Sequence, residues 1–232
     1  MPSHVFVETN WVVEFAAPAH LRSAIAEALL IRAGAGEFRL QIPAICLREG
    51  ENTIYRKFQP KAADHLREFR RWARKLGLVP TEENEHAIKF LDRYEETVRA
   101  GLSGVRARLN GLEASPGVDV YPLTQAMLER ALSLRTEVSS DLQPFDEAIL
   151  AAVLERAREL QEVGAVELVF CELDSDLQPW TKGGTRREEV ARLYDAVGVW
   201  VYGDFEMRGP SRPPGWPAGA AGHDPSAPST TE

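Results

Sequence analysis

Four acidic residues stand at positions where a predicted strand or helix begins or ends. Glu8 and Asp174 each directly follow a predicted strand, whereas Glu49 and Asp146 lie early on predicted helices. Carboxylates gathered within a few ångströms repel one another, so a fold keeps such a cluster only where something offsets the charge. Mg²⁺ offsets it well, because it prefers oxygen ligands and commonly takes one or two carboxylates together with waters and substrate phosphates.

A divalent cation at such a cluster would lower the pKa of a bound water and stabilise charge on a phosphate oxygen. Each acid also has an ordinary structural interpretation. Asp146 could favour the dipole at the start of its helix, and Glu49 could lie on a solvated helix face. Asp174 could be a turn or N-cap residue, and Glu8 alone is uninformative. The combination of the four, rather than any one of them, favours a metal site.

The elements that must position these acids alternate between strands and helices. Strands are predicted at 4–7, 38–43, 117–124, 165–173 and 197–203. Helices are predicted at 18–32, from 43 onward, and at 61–77, 82–100, 103–112, 124–138, 144–162 and 186–196. Strands separated by helices require crossover connections, so we predict a three-layer α/β/α fold with a central, mostly parallel sheet. Ligands bind such sheets at the carboxyl ends of the strands, where the four acids would meet.

The composition limits the classes of function. The chain has 232 residues, of which 44% are hydrophobic, and a net charge of −8. It is therefore not basic throughout, and any contact with nucleic acid must come from a local patch. Cys46 and Cys171 lie in apolar surroundings and predict two buried thiols rather than a disulfide or zinc framework. No signal peptide or membrane-spanning run is recognisable, so we expect a cytoplasmic protein without a membrane partner.

Four stretches of the sequence resemble the motifs of a known family. They read HVFVETN, IPAICLREGENTI, VDVYPLTQAMLERALSLRTEVSSDLQPFDEAILAAVLERA and VELVFCELDSDL. In order and spacing they resemble the acidic motifs of the PIN domain, a nuclease fold whose members include toxin ribonucleases of bacterial toxin–antitoxin pairs. The resemblance covers about residues 4–56 and 117–203. The segment at 57–116 is longer than compact members carry and looks like a helical insertion within a domain of residues 1–207.

This resemblance implies a set of catalytic, metal-binding acids, namely Glu8, Glu49, Asp146 and Asp174, with Asp176 as an auxiliary metal ligand. Asn10, and Thr9 in the same way, would hydrogen-bond and orient the first carboxylate. The implied reaction is hydrolysis of phosphodiester bonds with Mg²⁺ or Mn²⁺ as cofactor. The implied substrate is RNA, with single-stranded DNA as an alternative. An antitoxin-like protein partner is implied as well, and the sequence leaves a homodimer open.

Two positions depart from the family pattern. Glu8 stands where the family has Asp, which moves its oxygens by roughly 1 Å at a cation that tolerates little misplacement. Glu172 stands where the family has Thr or Ser, so it either adds a charge near the site or points away. Glu51 is an alternative to Glu49, but it lies two residues further on and would face elsewhere on a helix.

A basic segment follows the second acidic motif. Residues 56–75 hold eight basic residues and two acidic ones, a local excess of six positive charges. Four arginines at helical spacing form the predicted nucleic-acid-binding face, namely Arg67, Arg70, Arg71 and Arg74. A solvated helix face, or a surface for an acidic protein partner, would explain the same residues. We expect Trp72 in the apolar core, with stacking on a base as the alternative.

Beyond the fourth motif, residues 208–232 are dense in Pro, Gly, Ala and Ser and are predicted to be a disordered tail. Three functions remain for the domain. The first is a metal-dependent ribonuclease. The second is a PIN-like module that binds nucleic acid or protein with weak or no catalysis, because Glu8 replaces the usual Asp. The third is a phosphatase, since Asp174-Ser175-Asp176 is similar to the paired aspartates of haloacid-dehalogenase-like enzymes. That family needs Thr or Val shortly afterwards, whereas Leu177 follows here.

Overall fold

The central sheet has five strands in the part of the chain that is described. The computed structural model describes residues 3–58, 82–138, 142–165, 167–181 and 183–207, together with positions 68, 71, 72 and 75. The strands are β1 (Ser3–Val7), β2 (Phe38–Pro43), β3 (Val118–Tyr121), β4 (Leu168–Cys171) and β5 (Val199–Tyr202). All neighbouring strands pair in parallel, in the order β3-β2-β1-β4-β5.

Helices cover both faces of this sheet, so the predicted three-layer α/β/α fold is confirmed. They are α1 (Thr9–Ala16), α2 (Ala24–Gly34), α3 (Ala44–Phe58), α4 (Glu82–Ser103), α5 (Val105–Leu112), α6 (Gln125–Glu137), α7 (Pro144–Glu162) and α8 (Glu188–Ala196). Helix α2 lies over the face that carries Phe38, whose ring is stacked by Arg32. Helices α7 and α8 lie over the opposite face, where Arg156 hydrogen-bonds Gln41 and Tyr194 packs against Phe170.

The segment between β1 and β2 differs from the prediction of one helix at 18–32. Helix α1 already begins at Thr9, and only a short 3-10 turn occupies Ala19–Leu21. Helix α2 begins at Ala24 because Ser23 caps it, accepting a hydrogen bond from the backbone N–H of Ala26 at 3.3 Å. The other predicted helices and strands in the described ranges agree with the structure to within a few residues.

Close backbone approaches tie the helices to the sheet. Gly117 precedes β3 with a positive φ of 74°, and a Cβ there would lie 2.1 Å from the carbonyl oxygen of Ala33 at the end of α2. Gly50 plays a similar part between α3 and α1, since a Cβ there would lie 2.5 Å from Cγ1 of Val12. Only glycine allows α3 to approach α1 this closely.

The two cysteines and Trp72 differ in how well the sequence predicted their burial. Cys46 and Cys171 are buried free thiols, as expected. Trp72 is 58% exposed, so its prediction as a core residue was wrong. Helical spacing identifies an apolar stripe but does not show what the stripe packs against. Most of the helix predicted at 61–77 and the whole tail at 208–232 lie outside the described residues. Within the described ranges, no helix combines the length and the apolar character needed to cross a membrane.

Candidate active site

The candidate site lies where the winding of the sheet reverses. The chain adds β2 and β3 on one side of β1 and then crosses to place β4 on the other side. In doubly wound sheets the crevice at such a reversal, outside the carboxyl ends of the strands, is the usual ligand site. Val7 and Cys171 are register partners at the ends of β1 and β4. The residue that directly follows each strand is a glutamate, so Glu8 and Glu172 enter the crevice side by side.

Glu8 is buried at the N-terminus of α1. Its side chain is 3% exposed, and its Oε2 accepts a hydrogen bond from the backbone N–H of Asn10 at 2.6 Å. Its Oε1 is buried without a hydrogen-bond partner. Burial, together with the charges of Asp174 and Glu49, raises the pKa of Glu8 to about 8, and the hydrogen bonds from Asn10 oppose this shift. Asn10 thus contacts the first carboxylate, and its role at a metal site stays a prediction.

Glu172 is the second buried carboxyl group, with no exposed surface. Its Oε1 accepts a hydrogen bond from the backbone N–H of Asp174, and its Oε2 is buried without a partner. Burial, followed by the charge of Glu8, raises the pKa of Glu172 well above its usual range. Of the two orientations that the sequence left open, the structure has the one in which the carboxyl group of Glu172 points into the cluster.

Glu49 is held at the cluster by the packing of α3 against α1. The hydroxyl of Thr9, in the first turn of α1, donates a hydrogen bond to Oε2 of Glu49. Thr9 therefore orients the second acid, whereas the sequence suggested that it orients the first. The alternative residue, Glu51, faces elsewhere as expected and accepts a hydrogen bond from Nε of Arg106 at 2.8 Å.

Asp146 and Asp174 complete the cluster from the other side of the sheet edge. Asp146 lies in the first turn of α7, directly after Pro144 and Phe145. Burial, together with the charges of Asp174, Glu49 and Asp176, raises the pKa of Asp146 to about 6. Asp174 lies in the turn after β4 and accepts a hydrogen bond from the backbone N–H of Asp176 at 2.9 Å. Asp176 itself is exposed at the rim.

These contacts link all the predicted acids, with Glu172 in addition, into one electrostatic cluster. In the described ranges, no group of three or more His, Cys, Asp or Glu side chains already has the geometry to hold a metal ion. The chemistry of the donors nevertheless fits a hard divalent cation, because two buried carboxylate oxygens have no hydrogen-bond partner. Mg²⁺ needs only one or two carboxylates and fills its remaining positions with water. Without a cation, the raised pKa values mean that protons neutralise part of the charge.

The predicted nucleic-acid-binding arginines are only partly described. Arg71 is exposed, whereas Arg67, Arg70 and Arg74 lie outside the described residues. A residue that we did not predict is Phe145, which is 49% exposed beside Asp146. An apolar residue in a first helical turn, next to an acid of the predicted cluster, is the signal that could have identified it.

No protein-family model matches this chain, and a search of curated proteins finds no match either.

Proposed function

We propose that this protein is a metal-dependent nuclease of the PIN type that hydrolyses phosphodiester bonds, with RNA as its substrate. The observation that carries the proposal is the meeting of Glu8, Glu172 and Asp174 at the reversal of the sheet, with Glu49 and Asp146 adding their charges from α3 and α7. A fold gains nothing in stability from burying carboxylates without a partner. Such burial is expected where the carboxylates bind a cation.

Each acid has a defined part in this proposal. Glu8, which follows β1, and Asp174, in the turn after β4, would hold Mg²⁺ or Mn²⁺, with Asp146 and Glu49 closing the site from the two helix layers. When bound, the cation would lower the pKa of a water molecule and stabilise charge on the phosphate. The hydrogen bonds from Asn10 and Thr9 fix the orientation of Glu8 and Glu49, which is how neighbours of ligands set their geometry.

Two features support a single-stranded substrate. Phe145, the residue before Asp146 in the first turn of α7, is exposed, and unpaired bases stack on exposed aromatic rings. Arg71 is exposed on the basic segment, which suits contact with a phosphate backbone. Unpaired RNA is the substrate that we favour, and single-stranded DNA is an outcome of the test.

The test compares cleavage of a labelled RNA and a labelled single-stranded DNA in Mn²⁺ by the parent protein and two variants. Asp146→Asn removes a charge from the cluster. Glu162→Gln makes the matched change at an exposed position near the other end of the same helix. We expect cleavage by the parent and by Glu162→Gln, and at least about a hundredfold loss in Asp146→Asn. Equal cleavage by all three proteins would trace the activity to a contaminant or to another site.

A second function is favoured by the burial of Glu8 and Glu172. Both are longer than the side chains expected at these positions, and both have raised pKa values that favour the protonated form. A PIN-like module that binds RNA without cutting it is consistent with these features. Tight RNA binding by the parent protein, with no cleavage in Mn²⁺ by any of the three proteins, would favour this module over the nuclease.

A further inference from the structure

We propose that a cavity between α3 and α5 binds one nucleotide of the substrate strand beside the acidic cluster. The inference deepens the proposed function and rests on it for the identity of the ligand. The cavity has a volume of about 420 Å³, which lies within the range of small-molecule sites. It is lined by the first two turns of α3, by α5 and by the residue that follows α5.

The cavity and the acidic cluster lie on adjacent faces of one helix. Ala44, Leu47, Arg48 and Glu51 line the cavity at helical spacing. Glu49, the neighbour of Arg48, points instead toward Thr9 and the cluster. Because α3 begins directly after β2, this part of the helix stands at the carboxyl edge of the sheet. A strand of nucleic acid that crosses the cluster can therefore continue into the cavity.

Two guanidinium groups line the cavity, together with the carboxylates of Glu51 and Glu113, so its lining is formally neutral whereas the cluster is acidic. Arg106 uses Nε for its hydrogen bond to Glu51 at 2.8 Å, which leaves the other N–H donors of its fork available. Arg48 is exposed and has no ion pair within the described part of the chain. Phosphate groups are bound by such planar donors, often through two parallel hydrogen bonds. The acidic cluster alone would repel a phosphate, so guanidinium donors next to it are needed to hold the backbone of a nucleic-acid strand.

The remaining lining suits a base. Leu47 and Leu109 form an apolar wall against which a ring can pack. Asn110 and Glu113 stand at the same cavity, and their side chains have no hydrogen-bond partner among the described residues. An amide and a carboxylate offer donors and acceptors for the edge of an unpaired base. The lining therefore matches a ligand with a phosphate group, a flat ring and a polar ring edge, as in a nucleoside monophosphate.

The test titrates AMP, GMP, CMP and UMP separately into the 232-residue parent protein in EDTA, and binding is followed by NMR chemical shifts. We expect at least one of the four to bind, and its affinity to fall about tenfold or more in Asn110→Ala and in Arg48→Gln. Arg158→Gln, an arginine change on the opposite face of the sheet, should bind like the parent. Circular dichroism of each variant shows whether it is folded.

Two results would overturn the inference: no shift with any nucleotide, or binding that is unchanged in both cavity variants. The outcome is separable from that of the nuclease, because Asp146→Asn should keep its nucleotide binding while it loses cleavage. Nucleotide binding that depends on Asn110 in a protein that never cleaves would support the cavity and remove the nuclease. Cleavage with no nucleotide binding would support the nuclease and rule out the cavity as a nucleotide site.

Discussion

Replacing Glu8 by glutamine should raise the free energy of unfolding by about 3 kcal/mol near pH 7 when divalent cations are absent. Glutamine has nearly the same shape as glutamate, and its amide oxygen can still accept the hydrogen bond from Asn10. What it removes is the need to bury an ionisable group. Most substitutions of a buried residue destabilise a protein, so a gain of this size would point directly to the electrostatics of the site.

The magnitude follows from the pKa of Glu8, which burial raises from an ordinary 4.5 to about 8. Because the folded protein holds this proton more tightly than the unfolded chain, the stability contributed by protonation is present below pH 4.5 and is lost as the pH rises toward about 8. One pKa unit corresponds to about 1.4 kcal/mol. Between pH 4.5 and pH 7 the parent therefore loses about 3 kcal/mol of its free energy of unfolding, and the glutamine variant does not lose it.

The assay is urea denaturation of both proteins in EDTA at a series of pH values from about 5 to about 8. The parent should lose stability across this range with a slope about one proton steeper than that of Glu8→Gln. Glu162→Gln, an exposed change of the same type, should stay within about 0.5 kcal/mol of the parent. Equal stability of the parent and Glu8→Gln near pH 7, with equal slopes, would show that Glu8 ionises freely in the folded protein and would refute the reasoning.

Mn²⁺ supplies the second arm of the same experiment. A cation that binds the charged form of Glu8 adds about 2.7 kcal/mol to the parent at a hundredfold excess over its Kd. The glutamine variant should gain much less. The difference in free energy of unfolding between the two proteins near pH 7 should therefore become smaller or change sign. An equal gain in the two proteins would mean that the ion binds away from Glu8.

Three further predictions concern other residues. Asp174→Asn should reduce Mn²⁺-dependent cleavage of RNA by at least about a hundredfold, measured by gel assay, with little effect on RNA affinity. Phe145→Ala should weaken binding of single-stranded RNA about tenfold in fluorescence anisotropy, because a base loses its stacking partner; Phe145→Tyr should bind normally, and weakening in both would argue against stacking. Gly117→Ala should cost more than about 3 kcal/mol in urea denaturation, since its Cβ would strike the backbone of Ala33. Gly36→Ala has a similar positive φ but open space around it and should cost only about 1–2 kcal/mol; equal costs would mean that the contact with Ala33 is unimportant.

The sheet was predictable because each strand is a short apolar run bounded by turn-forming residues, and the intervening helices require parallel pairing. Helix α1 was not recognised, since the residue that caps it is Glu8, and glutamate is not among the usual N-cap residues. The start of α2 was placed too early because Pro18 is a common first-turn residue, whereas the cap is Ser23. Such choices between neighbouring caps depend on tertiary packing.

The edge of the sheet at which the acidic residues lie was predictable from the sequence, but the inclusion of Glu172 and the contacts within the cluster were not. Strand ends and helix starts place Glu8, Glu49 and Asp146 at one edge of a parallel sheet, whatever the register. The direction of Glu172 depends on the pairing of β4 with β1, because a shift of one residue would turn its side chain to the other face. The partner of Thr9 depends on how closely α3 approaches α1, which is a property of packing rather than of local sequence.

The pairing of β1 with β4 also has a consequence for the order of events during synthesis. His4 pairs with Leu168, so the central strand leaves the ribosome 164 residues before the neighbour that completes its second edge. At about 5–20 residues per second, this delay lasts about 8–33 seconds. During that time Glu8 stays hydrated and has no Glu172 beside it. A nascent chain that could cut RNA would therefore carry no assembled site while most of its own message is still being read.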